Sequence, residues 1–294
     1  MTNSLFIFGL GYTATRFAMA MQAQGWTVAG TVRNAEKAAR LTAQGITAHV
    51  FDGDQPMRQP MAKLRHASHV LSSIPPQMAE GDDAADPVLR HHGRDLIKMR
   101  KLEWVGYLSS TGVYGDTQGQ WVSESSPIGL GRRTARAEAD LSWQVFGLAG
   151  LPVHIFRLPG IYGPGRNALT RARTGMLNRI DLPGHVFSRI HVDDIIATLQ
   201  ASIARPDPGA IYNVADDEPA SSADLGAYAC QLLGIEAPPL QSLDEAGLSP
   251  RARAFYSECR RVANDRIKED LGVRLRYPTY REGLQACLEA ENGH

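Results

Sequence analysis

Gly9-Leu10-Gly11-Tyr12-Thr13-Ala14 follows directly on the apolar run Leu5-Phe6-Ile7-Phe8. An apolar run that stops at a glycine reads as a strand feeding a tight turn. Behind the turn, Thr15 to Gln24 places apolar residues at Phe17, Ala18 and Met21, which is helical spacing. The unit is therefore strand, G-x-G-x-x-A, helix, the pattern of a dinucleotide-binding unit. Each residue type has a reason. Gly9 permits the sharp turn, and Gly11 lets a pyrophosphate approach the backbone. Ala14 lets the helix pack close to the strand. Tyr12 and Thr13 open the helix, where free N–H groups and a partial positive charge favour phosphate. A purely structural turn is the competing reading.

Outward from this unit, strands and helices alternate. The residue pattern predicts strands over Trp26 to Val32, Ile46 to Phe51, His69 to Ile74, Trp104 to Leu108 and Val153 to Leu158. It predicts helices over Ala35 to Gln44, capped by Asn34, and over Pro87 to Lys101 and Arg132 to Leu148. This order argues an α/β fold, a doubly wound parallel Rossmann sheet. The rhythm breaks after Gly160. A helix over Asp193 to Ile203, capped by Asp193, and a short strand over Ile211 to Val214 follow, then helical pieces from Ala220 on. The expected organisation is a nucleotide-binding domain over 1–165, to which 186–214 returns. Residues 166–185 and 215–294 then form a smaller substrate-binding region.

The end of the second strand speaks to the choice of nucleotide. A carboxylate there accepts the ribose hydroxyls of NAD, but this chain reads Thr31-Val32-Arg33-Asn34. The Arg33 fork suits the 2′-phosphate of NADP, so NADP is favoured over NAD. Asp52, closing the third strand, is placed to meet the adenine amino group. Asp54 competes for that role, and a plain turn role is open for either.

Composition excludes several function classes. Lys plus Arg and Asp plus Glu are equal at 31 each in 294 residues, so nothing points to nucleic acid or an anionic membrane. No apolar stretch has the length of a membrane span, and the N-terminus shows no signal-peptide pattern. The three cysteines, Cys230, Cys259 and Cys287, are odd in number and far apart, as expected of reduced thiols in a cytoplasmic protein. No histidine spacing suggests a metal site, and adjacent His91 and His92 are expected on a solvated face.

Four stretches carry a resemblance: Tyr107-Leu-Ser-Ser-Thr-Gly-Val-Tyr-Gly115, Arg157-Leu-Pro-Gly-Ile-Tyr-Gly-Pro-Gly-Arg166, Arg189-Ile-His-Val-Asp-Asp194 and Tyr212-Asn-Val-Ala-Asp216. In order and spacing they resemble the extended short-chain dehydrogenase/reductase family, also called the NAD-dependent epimerase/dehydratase family. The resemblance implies that Ser72 and Ser73 border the cofactor and that Pro159 and Ile161 line its nicotinamide side. It also implies that Ser110 is the catalytic hydroxyl, bonding the reacting oxygen of a small-molecule substrate. Tyr114 and Tyr162 read first as packing rings, with Tyr114 the best spare acid. Family dimers suggest a homodimer through the helices over Pro87–Lys101 and Arg132–Leu148.

The chain departs from the family at its acid. The family opens the next helix with a Tyr and, four residues on, a Lys that holds the ribose and lowers the Tyr pKa. Matching Ala137-Glu138 to that helix puts Leu130 at the Tyr position and Thr134 at the Lys position. Neither can do that work. Arg132, Arg133 and Arg136 lie near, but arginine is too basic for general acid work. Two functions follow. One is an epimerase, dehydratase or reductase moving hydride between nicotinamide and a sugar nucleotide or small carbonyl compound. The other is a non-catalytic NADP-binding redox sensor or regulator.

Overall fold

The computed structural model describes residues 3–77, 86–131 and 134–292. In chain order the elements are β1 (Ser4–Phe8), α1 (Tyr12–Ala23), β2 (Thr27–Val32), α2 (Ala35–Ala43), β3 (Thr47–Val50), α3 (Pro60–Leu64), β4 (His69–Ser72), α4 (Pro87–Lys98), β5 (Trp104–Ser110), β6 (Trp121–Val122), α5 (Thr134–Leu148), β7 (Val153–Leu158), β8 (Gly160–Tyr162), α6 (Ala168–Arg173), β9 (Arg179–Ile180), β10 (Arg189–His191), α7 (Val192–Ala204), β11 (Ile211–Asn213), α8 (Ser222–Leu233), β12 (Leu240–Gln241), α9 (Pro250–Arg253), β13 (Arg261–Val262), α10 (Asp265–Glu269) and α11 (Tyr280–Asn292).

The chain divides into two compact units. The first comprises Met1–Val113, Arg133–Arg157 and Thr198–Tyr212. It carries a seven-stranded sheet of order β11-β7-β5-β4-β1-β2-β3, the Rossmann arrangement. The pairings of β1 with β2 and β4, of β2 with β3, and of β4 with β5 are parallel. Their registers set Phe8 beside Ser72, Ser72 beside Tyr107, and Val32 beside Val50. One edge of the sheet therefore collects the ends of these strands, where such folds bind ligands. The core beneath is Phe6, Phe8, Val70, Val105, Tyr107, Ile155 and the α5 ring Trp143, all close to fully buried. Each such side chain contributes about 1.5–3 kcal/mol of burial.

Boundaries shift for local reasons. Helix α1 starts at Tyr12, earlier than the spacing of its apolar residues implies, because Gly11 already occupies the cap position. Helix α4 ends at Lys98, since Met99 leaves helical geometry at ψ 84°. Strand β5 runs on to Ser110. Asn34 does cap α2, its side chain accepting from Lys37 N at 2.9 Å.

The solvated face expected for His91 and His92 is corrected. His92 is fully buried. Its Nε2 accepts from Met57 N at 3.1 Å, so Nδ1 carries the proton facing Asp95 Oδ2 at 3.2 Å. Burial holds the His92 pKa below its ordinary value, against the upward pull of Asp95. His91 Nε2 lies 3.0 Å from Gly53 O, and Arg90 donates to the same carbonyl at 2.8 Å. This short stretch of α4 thus pins the loop after β3 rather than facing water.

The second unit comprises Tyr114–Arg132, Leu158–Ala197 and Asn213–His294. It draws in residues 114–132, 158–165, 186–197 and 213–214, which the sequence reading keeps with the nucleotide-binding domain. The physical reason is visible in β8: Gly160–Tyr162 pairs in parallel with Arg189–His191 in a two-stranded sheet of its own. The unit's core gathers Tyr162, Leu169, Leu225, Ala229, Tyr280, Leu284 and Cys287. Gly283 is required there, because a Cβ on it would stand 2.1 Å from Tyr162 Oη. Asp193 does not cap α7 as expected. It sits inside the first turn, and its N–H donates to His191 Nδ1 at 3.2 Å. The three cysteines are free thiols, and no described helix is long and apolar enough to cross a membrane.

Candidate functional site

The first unit presents the glycine turn. Gly9 has φ +88°, and a Cβ there would meet Ile74 Cγ1 at 2.8 Å. Its N–H donates to Thr31 Oγ1 at 2.9 Å, and Leu10 N donates to Thr31 O at 2.8 Å, locking the turn onto β2. A Cβ on Gly30 would stand 2.6 Å from Ile7 O, so a glycine in β2 is also needed for the close approach of β1. Gly11 differs. A Cβ on it would touch nothing nearer than Gly9 O at 4.0 Å, so the space over Gly11 is open. No side chain caps α1, and its first turn holds no acidic residue. Ala14 is fully buried under the turn and Thr13 nearly so, while Tyr12 stacks under Arg16 at 5.1 Å. An open backbone cradle at an uncapped helix start fits a pyrophosphate.

At the end of β2, Arg33 is exposed. Four residues on, Lys37 Nζ donates to Leu10 O at 2.7 Å, inside the glycine turn itself. Partial burial, then the nearby Arg40 and Arg33 charges, lower the Lys37 pKa. Lys37 thus reaches the turn, with the Arg33 and Arg40 charges near it. Lys37 lies in the first turn of α2, and the sequence reading does not single it out. Asp52 is exposed, and its Oδ1 accepts from Asp54 N at 3.0 Å, an Asx turn.

Along the same sheet edge, Ser73 N donates to Phe8 O at 2.8 Å. Ser72 is fully buried, and among the described residues its Oγ has no hydrogen-bond partner. Ser110 is half-buried, and its Oγ accepts from Gly112 N at 3.1 Å, leaving its own proton to donate. The residue before it is anchored from below. Ser109 donates to Asp140 Oδ2 at 2.6 Å, and Arg157 grips the same carboxylate through Nε at 3.1 Å and Nη2 at 2.9 Å. Gln144 supplies another donor to Asp140 Oδ1 at 2.8 Å. Asp140 and Arg157 are buried, so this ion pair ties α5 to β5 and β7 inside the sheet. Thr134 begins α5 and is exposed. Arg136 is half-buried there and acts on buried Tyr107 and Asp86. Arg132 and Arg133 lie outside the described residues.

The second unit holds the remaining named residues. Tyr114 is 2% exposed, and its Oη donates to Asn213 Oδ1 at 2.7 Å, the geometry of a packing ring. Leu130 is 77% exposed and lies outside α5. Its backbone runs against Gly115, where a Cβ would come within 2.7 Å of the Leu130 carbonyl. Pro159 is half-buried, and Ile161 pairs with Ile190 through β8 and β10.

A buried carboxyl in this unit makes a testable pH dependence. Asp216 is 1% exposed, and burial pushes its pKa up to about 8 against the pull of Arg189. Arg189 donates to the carbonyls of Phe187, Ala220 and Ser221 rather than to Asp216 in these bonds. The folded state therefore holds a proton on Asp216 that the unfolded chain releases above its ordinary carboxylate range. Stability from this group is full at low pH and falls as pH rises through about 8, at up to about 1.4 kcal/mol per unit. Asp216→Asn is expected to flatten the decline of melting temperature between pH 6 and pH 8, roughly the upper half of that window. An unchanged slope would show that another group sets it.

No family model matches the chain. Among curated proteins it is 26% identical over 278 residues to Protein YeeZ of Escherichia coli K12, covering 92% of this chain and 95% of that one. It is 34% identical over 165 residues to the 3-diazoavenalumate denitrifying reductase of a Streptomyces species, about half of each chain. Among solved structures, a conserved protein of unknown function from Silicibacter pomeroyi is 46% identical, with TM-score 0.88 over 98% of this chain and 99% of that one. The chain belongs to one family with the Silicibacter protein. Its fold is that of the NAD-dependent epimerases and dehydratases. A Methylobacillus flagellatus protein assigned to that group is 24% identical over 99% of this chain and all of that one, with TM-score 0.73. The dTDP-glucose 4,6-dehydratase of Bacillus anthracis, solved with NAD, is 15% identical with TM-score 0.73 over 100% of this chain and 97% of that one. The epimerase/dehydratase fold explains why the glycine turn, Ser72, Ser73 and Ser110 line one sheet edge.

Proposed function

We propose that the chain is a nicotinamide-dependent oxidoreductase of the epimerase, dehydratase or reductase kind. The observation that carries this reading is the cradle over Gly11: open space above a backbone turn at an uncapped helix start. NADP is favoured over NAD, because the end of β2 carries exposed Arg33 in place of a carboxylate, with Lys37 on the helix that follows. The bound cofactor supplies the hydride or accepts it. The chain's own residues bind and orient. The turn and the start of α1 would hold the pyrophosphate, with Arg33 and Lys37 on the 2′-phosphate. Ser110 would donate its proton to the reacting oxygen of the substrate. The substrate class is a sugar nucleotide or a small carbonyl compound. The short match to a reductase adds weight to the reducing direction.

A second reading, a redox sensor that binds NADP without turnover, is favoured by Leu130 and Thr134. Neither side chain titrates, so the usual acid and its lysine partner are missing by this alignment. Calorimetry with NADPH and NADH tests the common part. NADPH is expected to bind more tightly, and Arg33→Ala and Lys37→Ala each to weaken NADPH about tenfold while leaving NADH near unchanged. Equal loss for both nucleotides would remove the NADP assignment. Transfer of label from deuterated NADPH to a carbonyl compound, abolished in Ser110→Ala, would separate an enzyme from a sensor.

A further inference from the structure

Three half-buried rings, His185, Phe187 and Tyr256, stand together in the second unit. Their centroids are 4.7 Å apart for His185 and Phe187, 5.9 Å for His185 and Tyr256, and 5.4 Å for Phe187 and Tyr256. Each ring is held in place. Phe187 exchanges main-chain hydrogen bonds with Ala220, at 3.0 Å and 3.2 Å, and the Arg189 guanidinium lies over its ring at 5.8 Å. Tyr256 Oη donates to Ser222 Oγ at 3.1 Å. His185 packs its ring against both Phe187 and Tyr256. These are partly buried aromatic surfaces held together in one group.

The group adjoins the segment assigned to the nicotinamide. Gly160, between Pro159 and Ile161, donates to Ser188 O at 3.3 Å, so Phe187 is one residue from that contact. Charge accounting then separates the two substrate classes. A nucleoside diphosphate needs cations or N–H donors with capacity to spare. Three arginines near the rings already carry main-chain or carboxylate partners. Arg189 serves the carbonyls of Phe187, Ala220 and Ser221. Arg260 serves Gly115 O and pairs with Glu258 at 3.1 Å, and Arg261 serves Gly119 O. What the group offers is flat, polarisable and apolar, which suits an aromatic ring.

We propose that His185, Phe187 and Tyr256 form the recognition surface for the aromatic ring of a carbonyl substrate, in place of a sugar nucleotide. The proposal rests on the reading that Pro159 and Ile161 border the nicotinamide. The test is ligand-observed NMR on the full chain, with and without saturating NADPH. The probes are acetophenone, cyclohexyl methyl ketone of similar size, and UDP-glucose. Acetophenone is expected to bind more tightly than the saturated ketone and to resist displacement by UDP-glucose. Phe187→Ala and Tyr256→Ala are each expected to weaken acetophenone about threefold to tenfold. Phe187→Tyr should restore binding, and NADPH affinity by calorimetry should not change in any of these variants. Phe187→Leu replaces Phe187→Ala if the smaller residue fails to fold. Displacement by UDP-glucose, equal binding of the two ketones, or folded variants that bind acetophenone like the parent would each overturn the proposal. The cofactor reading fails separately: ring-dependent acetophenone binding with no NADPH binding would sink that reading alone. NADPH binding without acetophenone binding would sink only the aromatic surface.

Discussion

Asp140→Ala is expected to lower stability by about 3–5 kcal/mol, the largest effect of any single truncation proposed for this fold. The reason is what the carboxylate leaves behind. Arg157 is 2% exposed, and two of its donors end on Asp140. Removing the carboxylate takes the counter-charge from a buried guanidinium, which costs far more than the net worth of the pair. Ser109 and Gln144 lose their acceptor as well. Asp140→Asn keeps one acceptor oxygen and most of the volume, so its cost should fall clearly below that of alanine. Urea denaturation measures both. A loss of less than about 1 kcal/mol for alanine would mean that water reaches Arg157 and that the pair does not brace the sheet. The position has a consequence for function too. Ser109 is the neighbour of Ser110, so slack at Asp140 should loosen the hydroxyl assigned to the substrate.

Gly11→Val is expected to reduce nicotinamide dinucleotide affinity at least about a hundredfold while leaving the melting temperature nearly unchanged. The fold has room for a side chain there, because a Cβ meets only Gly9 O at 4.0 Å. The pyrophosphate does not. Two or more charge-assisted bonds from the turn would be lost, each worth about 1.5–3 kcal/mol. Gly9→Val is the contrasting control. It collides with Ile74 Cγ1 at 2.8 Å and needs φ +88°, so it should lose stability together with binding. The pair of variants separates a glycine that the ligand needs from one that the fold needs. If Gly11→Val bound NADPH like the parent, the cradle would not be a phosphate site.

Much of the site was legible because it is local in sequence. Gly9, Gly11 and Ala14 lie within one turn, and Arg33 closes the strand that follows. Spacing alone marks those positions as candidates. The burial of His92 is not legible, for the opposite reason. Its partners Met57 and Asp95 sit on a loop and on its own helix, and only packing buries the ring between Phe8 and Phe51. Lys37 carries no such signal, because its target, the Leu10 carbonyl, is remote in sequence and belongs to the backbone. Asp140 and Arg157 carry no periodic signature that tells a buried ion pair from a solvated one.

By itself, then, the sequence determined the βα alternation, the glycine turn and the missing carboxylate after β2. Those depend on φ freedom, hydrophobic period and residue charge within short windows. Tertiary structure alone decided which polar side chains are buried and satisfied. It set Asp140 against Arg157, Lys37 against the turn, and Phe187 beside His185 and Tyr256. Such pairings join residues far apart in the chain. Their energy comes from desolvation and close geometry, which exist only once the elements have packed.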